Sequence, residues 1–462
     1  MRIHNWACFT FFLFSAFASN LGANEEPKLK VNPVFVGNVT GTTALGFMNG
    51  PDFLFDAKGG AYFSVSSQGL NNTPAITVYR ATVKKQKFDF EKIIIQKADS
   101  VINFAVPRLA QTIALGKGRS LHLVWSGSHP SNDPLKNATH QIQYARISTN
   151  EKLNLKEATE PFTVQGYLEA YAESPSRIIK YLWQDYPSAV ITKGGTLHVV
   201  WEGRDRFHQS EDGFPLPFIA YATRSSSGKW SIHGNIDTPP YLDNKGLSEY
   251  QSRPVIVAEA DNTIDVFCYG GIRGKAQILY GRIQNKKFSG WKVLAPSARD
   301  QKRVTAVVGG NGDIYVAWRE EGPEQYSFIA TVMRKKDGTW TEPLQIGNKE
   351  EYASTPSLVV TNTRVFVSWI GWEPGFLNSN NQENNRFPED DGAVEGTLYL
   401  SHKSLADVRF SSPVKLTGGT ASCPNLAINP RSPSYPSVVW TEGRECPPGD
   451  CIQLFFSDIQ PK

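Results

Sequence analysis

The chain has 462 residues, of which 40% are hydrophobic and 20% are charged. This composition excludes a disordered protein, and the chain is long enough to form a large folded core. The formal net charge of +4, from 48 basic and 44 acidic residues, is too small to indicate nucleic-acid binding. It is compatible with a local basic site for an acidic ligand.

The first residues of the chain have the features of a secretory signal peptide. Arg2 precedes the apolar run FTFFLFSAFA, and the small residues at Ala16-Phe17-Ala18 or at Leu21-Gly22-Ala23 offer a cleavage site. The run is short for a membrane span, and no later stretch approaches that length. We expect a signal peptide at 1–23 and a mature chain at 24–462 that is secreted or periplasmic and has no membrane contact.

A short alternating apolar pattern recurs seven times along the mature chain. Most copies end in tryptophan followed by glycine or a charged residue, as expected for a strand that leaves a packed core. Self-similarity of this kind is typical of a repeat fold. The copies are AYFSVSSQG (61–69), LHLVWSG (121–127), LHVVWEGR (197–204), IDVFCYGG (264–271), IYVAWRE (314–320), VFVSWIG (365–371) and PSVVWTEGR (436–444).

Each copy has the same kinds of neighbour. A strand often begun by proline comes before it, a strand with tyrosine or phenylalanine follows, and a fourth strand follows a tryptophan or phenylalanine. YPSAVITK, FIAYATRS and KWSIHGN are examples from one unit. Four strands per unit, without helical periodicity or a long linker, predict an all-β fold. We expect one seven-bladed β-propeller of four-stranded antiparallel blades across 24–462.

The antiparallel order of the strands sorts the loops between two faces of the propeller. The turn after each second strand lies on the same face as the connection that enters each first strand. The longest loops, SGSHPSNDPLKNATH, EGRDRFHQSEDGFPLP and IGWEPGFLNSNNQENNRFPEDDG, belong to this face. Loops longer than a tight hairpin usually carry function, so we predict the ligand site here.

Arginine, histidine and tyrosine residues gather on the predicted ligand face. Arginine suits bidentate binding of carboxylate or sulfate, although each arginine is about as well explained as a solvated loop charge. Histidine and tyrosine suit acid–base catalysis, although His122 and the tyrosines also suit packing roles. Tyr186 and Tyr250 each precede a first strand, at positions that we interpret as equivalent. The candidates are His122, His129, His140, His208, Tyr186, Tyr250, Arg204, Arg206, Arg273 and Arg319.

Three cysteines fall in the last repeat, namely Cys423, Cys446 and Cys451. A disulfide is permitted in an exported protein. An odd number of neighbouring thiols also fits a structural zinc site, and both alternatives stay open.

The second and third repeats resemble the seven-bladed propeller polysaccharide lyases that cleave ulvan, a sulfated algal polysaccharide. The matching segments are LHLVWSGSHPSNDPLKNATHQIQY, QDYPSAV, LHVVWEGR and SEYQSRP. The resemblance implies that Tyr186 transfers a proton, paired with a histidine, and that Arg204 and a second histidine neutralise a uronate carboxylate. It implies that Tyr250 lines the site, that His140 is one of the histidines, and that His122 or His129 is the other. No cofactor is implied for catalysis.

β-Elimination needs residues of these types. A cation at the carboxylate stabilises the enolate-like intermediate that forms when the C5 proton leaves, and a tyrosine or histidine moves the proton. We therefore predict a monomeric lyase that acts on an anionic, uronate-containing polysaccharide. Two alternatives stay open. RSSSGKW and RKKDGTW resemble degenerate Asp-box turns of sialidase-like hydrolases, which also need three arginines on successive blades. A non-catalytic carbohydrate-binding propeller is the other.

Overall fold

β-Strands account for the secondary structure of the part of the chain that the computed structural model describes. The described residues are 29–39, 52–68, 74–84, 87–95, 111–128, 140–159, 184–204, 216–236, 250–272, 275–322, 326–347, 352–372, 396–418, 421–446 and 449–461. They form seven antiparallel sheets of four or five strands. Within these residues there is no helix long and apolar enough to cross a membrane.

Each sheet is one blade, and the blades follow one another along the chain. Blade 1 has β3 (Asp52–Phe55), β4 (Ala61–Gln68), β5 (Pro74–Lys84) and β6 (Lys87–Ile95). Blade 2 has β7 (Gln111–Gly116), β8 (Ser120–Ser128), β9 (His140–Ser148) and β10 (Asn154–Thr159). Blade 3 has β11 (Gln184–Ile191), β12 (Leu197–Gly203), β13 (Phe218–Arg224) and β14 (Trp230–Asn235).

The remaining blades repeat this order. Blade 4 has β15 (Gln251–Ala258), β16 (Ile264–Ile272), β17 (Lys275–Gln284) and the short β18 (Lys287–Phe288) and β19 (Lys292–Val293). Blade 5 has β20 (Gln301–Val308), β21 (Ile314–Glu321), β22 (Ser327–Arg334) and β23 (Leu344–Ile346). Blade 6 has β24 (Tyr352–Val360), β25 (Arg364–Trp372), β26 (Thr397–Ser404) and β27 (Val414–Lys415). Blade 7 has β28 (Ala421–Ala427), β29 (Ser437–Cys446) and β30 (Gly449–Pro461), joined by β1 (Leu29–Val31) and β2 (Val34–Val39).

The predicted seven-bladed propeller is therefore confirmed, and the seven repeat copies are the second strands of the seven blades. Their tryptophans are core residues, because Trp201, Trp318, Trp369 and Trp440 are each at most 1% exposed. The hydrophobic clusters join neighbouring blades, as where Trp201 of blade 3 packs with Tyr144 of blade 2. Fully burying a large apolar side chain contributes about 2 to 3 kcal/mol, so the repeated tryptophan stabilises each contact between blades.

Blade 7 closes the ring, since it combines strands from both ends of the described chain. Leu29 pairs with Pro461 and Val34 pairs with Phe456, so β1 and β2 both lie beside β30. Closure of this kind satisfies strand edges that would otherwise be open.

A β-bulge recurs in the first strand of blades 3 to 7, near the end that faces the predicted ligand side. The register shifts there in each of β11, β15, β20, β24 and β28. One residue in each bulge has a positive φ of 47 to 58°, and proline follows it in four of the five blades. Bulges re-aim side chains and are common beside active sites. The residues are Tyr186, Arg253, Arg303, Thr355 and Cys423.

Candidate active site

The first strands of all seven blades surround one axial cavity of about 580 Å³. That volume is within the range of small-molecule sites in proteins. Toward the far end of the strands the wall is apolar, with Phe55, Val307, Val360 and Ile428. Near the bulges it is polar, and we call one polar lining residue from each blade the axial ring. The ring consists of the five bulge residues, Tyr186, Arg253, Arg303, Thr355 and Cys423, and of Asp52 and Thr112 in blades 1 and 2, which lie slightly deeper, at the register of Ser188.

Tyr186 and Arg253 form a pair at the centre of the candidate site. Tyr186 is 7% exposed, and the guanidinium carbon of Arg253 lies 4.6 Å from the centroid of its ring. An Arg253 Nη2 proton points to the Tyr186 hydroxyl at 3.4 Å. A cation in this position interacts with the aromatic face and stabilises negative charge that develops on the phenolic oxygen. The pair therefore suits proton transfer by Tyr186.

Glu202 connects this pair to Arg204. Its Oε1 accepts hydrogen bonds from Arg204 Nε at 3.3 Å and Nη2 at 3.0 Å. Its Oε2 accepts from the Ser252 hydroxyl and from the Arg253 backbone N–H at 3.3 Å. Glu202 is 3% exposed, and it links the second strand of blade 3 to the first strand of blade 4. The Arg204 side chain remains 30% exposed, which leaves it accessible from the ligand face.

Tyr250 precedes the first strand of blade 4 and does not match Tyr186 in the repeat. Gln184 opens β11 opposite Gly203, and Gln251 opens β15 opposite Gly270. Tyr186 therefore corresponds to Arg253, while Tyr250 immediately precedes Gln251. The predicted equivalence of the two tyrosines is wrong. Tyr250 packs edge-on against Tyr269, with ring centroids 6.4 Å apart, and the Tyr269 hydroxyl is 3.2 Å from the Ser252 hydroxyl.

The repeated glutamine explains this register. Gln184 accepts a hydrogen bond from the indole N–H of Trp201 at 2.5 Å, so it ties the start of a first strand to the buried end of a second strand. The motif is Gln, then one residue, then the axial residue, as in QDYP, QSRP and QKRV. Aligned on glutamine, these segments would have identified Arg253 and Arg303 as axial residues from sequence. Aligned on tyrosine, they do not.

His122 lies away from the ligand face. It is 8% exposed, and its Nδ1 and Nε2 lie 2.8 Å from the Tyr144 hydroxyl and 3.3 Å from the Ser120 hydroxyl. Six residues separate it from Ser128 at the end of β8, about 20 Å in an extended strand. Burial, and then the charges of nearby arginines, lower the pKa of His122 to about 4. We correct its predicted catalytic role to a structural one.

Several other candidates are placed only in part or not at all. His140 begins β9, opposite Ser128 on the candidate face, but its side chain lies outside the described residues. Its role in catalysis stays a prediction. His129, Arg206, His208 and Arg273 also lie outside the described residues.

Arg319 is fully buried and does not reach the ligand face. Its guanidinium pairs with Glu321 of the same strand, and its Nη1 points to the Tyr352 hydroxyl of blade 6 at 3.5 Å. A buried, paired arginine of this kind holds neighbouring blades together. The prediction that Arg319 binds substrate is therefore corrected.

The three C-terminal cysteines are not brought together as the zinc prediction requires. Cys423 is 7% exposed in the axial ring, and burial raises the pKa of its thiol, which disfavours the thiolate that binds metal. Cys446 ends β29 five residues after Thr441, the partner of Ser422, which is about 17 Å along a strand. The described residues contain no group of three His, Cys, Asp or Glu placed to hold a metal. The side chains of Cys446 and Cys451 lie outside the description, so the disulfide alternative stays a prediction.

Comparison with known proteins gives similarity at the level of fold. No protein-family model matches the chain, and no curated protein matches its sequence. An ulvan lyase of polysaccharide lyase family 25, solved with -[GlcA(1-4)Rha3S]- bound, is 11% identical with a TM-score of 0.55, over 92% of this chain and 96% of that one. Polysaccharide lyase Uly1 is 11% identical with a TM-score of 0.51, over 92% of each chain.

A thermostable family-43 glycoside hydrolase is a more distant structural match. It is 10% identical, with a TM-score of 0.36, over 59% of this chain and 89% of that one. The predicted resemblance to the seven-bladed ulvan lyases is thus confirmed as a resemblance of fold. Fold likeness does not assign a reaction, which must be argued from the site.

Proposed function

We propose that the protein is a polysaccharide lyase that cleaves a uronate-containing, sulfated polysaccharide by β-elimination. The observation that carries the proposal is the buried Tyr186 with the Arg253 guanidinium on its ring and at its hydroxyl, next to Arg204. The site lies at the mouth of a cavity large enough for sugar residues. The likeness in fold to two polysaccharide lyases raises the prior for this reaction class.

In the first step of the proposed reaction, two arginine side chains bind the substrate. Arg204 and Arg253 bind the uronate carboxylate, and this neutralisation makes the C5 proton easier to remove. Tyr186, as the phenolate that Arg253 stabilises, takes the C5 proton, the electron pair forms the C4–C5 double bond, and the bond from C4 to the glycosidic oxygen breaks. The leaving oxygen takes a proton from Tyr186 or from His140. Atoms and charge balance without a cofactor in this scheme.

We also propose that the protein is exported. A polymeric substrate is available to an enzyme outside the cytoplasm, which agrees with the signal peptide expected at 1–23. That segment lies outside the described residues.

The products distinguish this proposal from hydrolysis. Arg204, Arg253 and Arg303 come from three successive blades, the arrangement that a sialidase-like hydrolase also needs. Purified mature protein is incubated with ulvan, while ultraviolet absorbance of unsaturated uronate and new reducing ends are measured together. A lyase gives both signals in equal amounts. New reducing ends without unsaturation would indicate a hydrolase, and binding without either product would indicate a binding protein.

A further inference from the structure

The axial ring holds a second arginine that the proposed reaction does not use. Arg303 is half-buried, occupies the bulge of blade 5, and lines the same cavity as Arg253 in the neighbouring blade. The two arginines are the cations among the described residues that line this cavity. They bring two guanidinium groups to one sector of the ring.

The acidic side of the ring is already occupied by hydrogen bonds. Asp52 is the one carboxylate among the described lining residues. Its Oδ2 accepts from the Thr112 hydroxyl at 2.9 Å and from the Ile113 N–H at 2.7 Å, and its Oδ1 accepts from the Phe53 N–H at 2.9 Å. Asp52 thus ties blade 1 to blade 2. Burial raises the pKa of Asp52, so its negative charge is also less favoured than at the surface.

The backbone at these positions is strained for the residues that occupy it. A left-handed conformation costs about 1 kcal/mol or more for residues other than glycine, and glycine would satisfy the same bulge without that cost. Arg253 and Arg303 nevertheless have φ values of +50° and +58°. The bulge is common to five blades and is architectural, but the presence of two adjacent arginines in it is not required by the fold. Their side chains are what the strained positions present to the cavity.

We propose that Arg303 forms an anion subsite inside the axial cavity, beside the Arg253 that binds the carboxylate of the reacting uronate. The subsite takes an acidic substituent, either a sulfate ester or a carboxylate, from the sugar residue next to the one that is cleaved. A guanidinium fork matches the oxygens of either group. Beyond the bulges the wall is first polar, at Ser188, Ser357 and Asn425, and then apolar at its far end, so the acidic group stays in the polar part of the cavity. This inference rests on the proposed polysaccharide substrate and names how it is recognised.

Binding measurements test the subsite independently of the reaction. The Tyr186→Phe protein, chosen so that polymer is not consumed, is titrated calorimetrically with ulvan, chemically desulfated ulvan and polyglucuronate. The substitution Arg303→Gln is then made in this Tyr186→Phe protein. Arg303→Asn serves as a second variant, because asparagine adopts the left-handed conformation readily. Arg409→Gln is the matched control, since it removes the same charge from an exposed position away from the cavity.

We expect Arg303→Gln and Arg303→Asn to weaken ulvan binding about tenfold or more, the effect of one charge-assisted hydrogen bond. A loss confined to ulvan identifies sulfate as the group bound, and an equal loss on all three polymers identifies carboxylate. Losses no larger than those of Arg409→Gln would overturn the subsite, as would the absence of binding to all three polymers. If the wild-type protein forms unsaturated product but Arg303→Gln does not weaken binding, the subsite alone is refuted. If Arg303→Gln weakens binding as expected but the wild-type protein forms no unsaturated product, the lyase proposal alone is refuted.

Discussion

Tyr186 and Arg253 occupy the same structural position in adjacent blades, and yet they contribute different chemistry. Each sits in a bulge with a φ of +50°, so each side chain lines the axial cavity. Placed side by side, the cation lies over the phenol ring. One backbone conformation, repeated around the axis, therefore assembles the candidate site from single residues of several blades.

Glu202 is the residue that we expect to position this site without contacting substrate. It is bonded to Arg204, to Ser252 and to the backbone of Arg253. Glu202→Gln removes the charge that orients Arg204, so we predict a rise in KM of about tenfold, together with a smaller fall in kcat. The measurement is steady-state kinetics on ulvan.

Glu442→Gln is the matched control for Glu202. Glu442 is also a buried carboxylate in a second strand, where it accepts a hydrogen bond from the Trp440 indole at 2.8 Å. Its substitution should lower stability without changing KM. Equal changes in KM for both variants would show that Glu202 acts only through the stability of the fold.

At the scale of the element, the second strands were predictable and the first strands only in part. The second strands carry an alternating apolar pattern with a buried tryptophan, which the core requires in every blade. The bulged first strands break that alternation, so their axial residues could not be read from periodicity. This is why Tyr250 was matched to Tyr186, and why Arg253 and Arg303 were missed.

One position of the second strand is a histidine in two blades. The buried His122 and the half-buried His198 occupy it, and Nδ1 of each lies near a tyrosine hydroxyl of the third strand, that of Tyr144 at 2.8 Å and that of Tyr221 at 2.7 Å. Burial lowers the pKa of each histidine to about 4. A histidine in this position replaces the apolar or acidic residue of other blades and forms a polar contact inside the blade.

Acid should therefore destabilise the protein through these histidines. In the unfolded chain a histidine titrates near 6.5, whereas folded His122 titrates at about 4. Between these values the unfolded state binds more protons, so stability is complete above about pH 6.5 and falls as pH falls toward 4. The loss is about 3 kcal/mol for His122. Urea unfolding of wild type and His122→Gln at neutral and acidic pH measures it.

His122→Gln should be less stable at neutral pH but should lose less stability on acidification than wild type does. His233→Gln serves as the comparison. His233 is exposed, and although burial and the charge of Lys286 also lower its pKa, its titration should change stability less than that of His122. An unchanged pH dependence in His122→Gln would mean that His122 is not held neutral in the folded protein.

At the scale of the whole molecule, the ring depends on closure by its first and last described strands. The seven repeats predict the number of blades, but they do not show which strands complete the last blade. Leu29 is 1% exposed and packs in the cluster that also contains Trp440 and Ile459. β1 and β2 thus complete blade 7 from a distant part of the sequence, which local patterns could not reveal.

Leu29→Ala should therefore lower the free energy of unfolding by about 3 kcal/mol, the usual cost of a cavity at a buried leucine. Lys30→Ala, at the exposed neighbouring position, should change it by less than about 0.5 kcal/mol. Equilibrium urea unfolding gives both values. Similar values for the two variants would show that β1 contributes little to closure.

The proposed lyase reaction takes place at the axial ring, with Tyr186 as the group that moves the proton. The most direct test compares the initial rate of unsaturated product from ulvan in wild type, Tyr186→Phe and Tyr250→Phe. We predict a loss of about 10³-fold for Tyr186→Phe and less than about tenfold for Tyr250→Phe. If Tyr186→Phe retains the wild-type rate, or if both variants lose rate equally, Tyr186 is not the group that moves the proton.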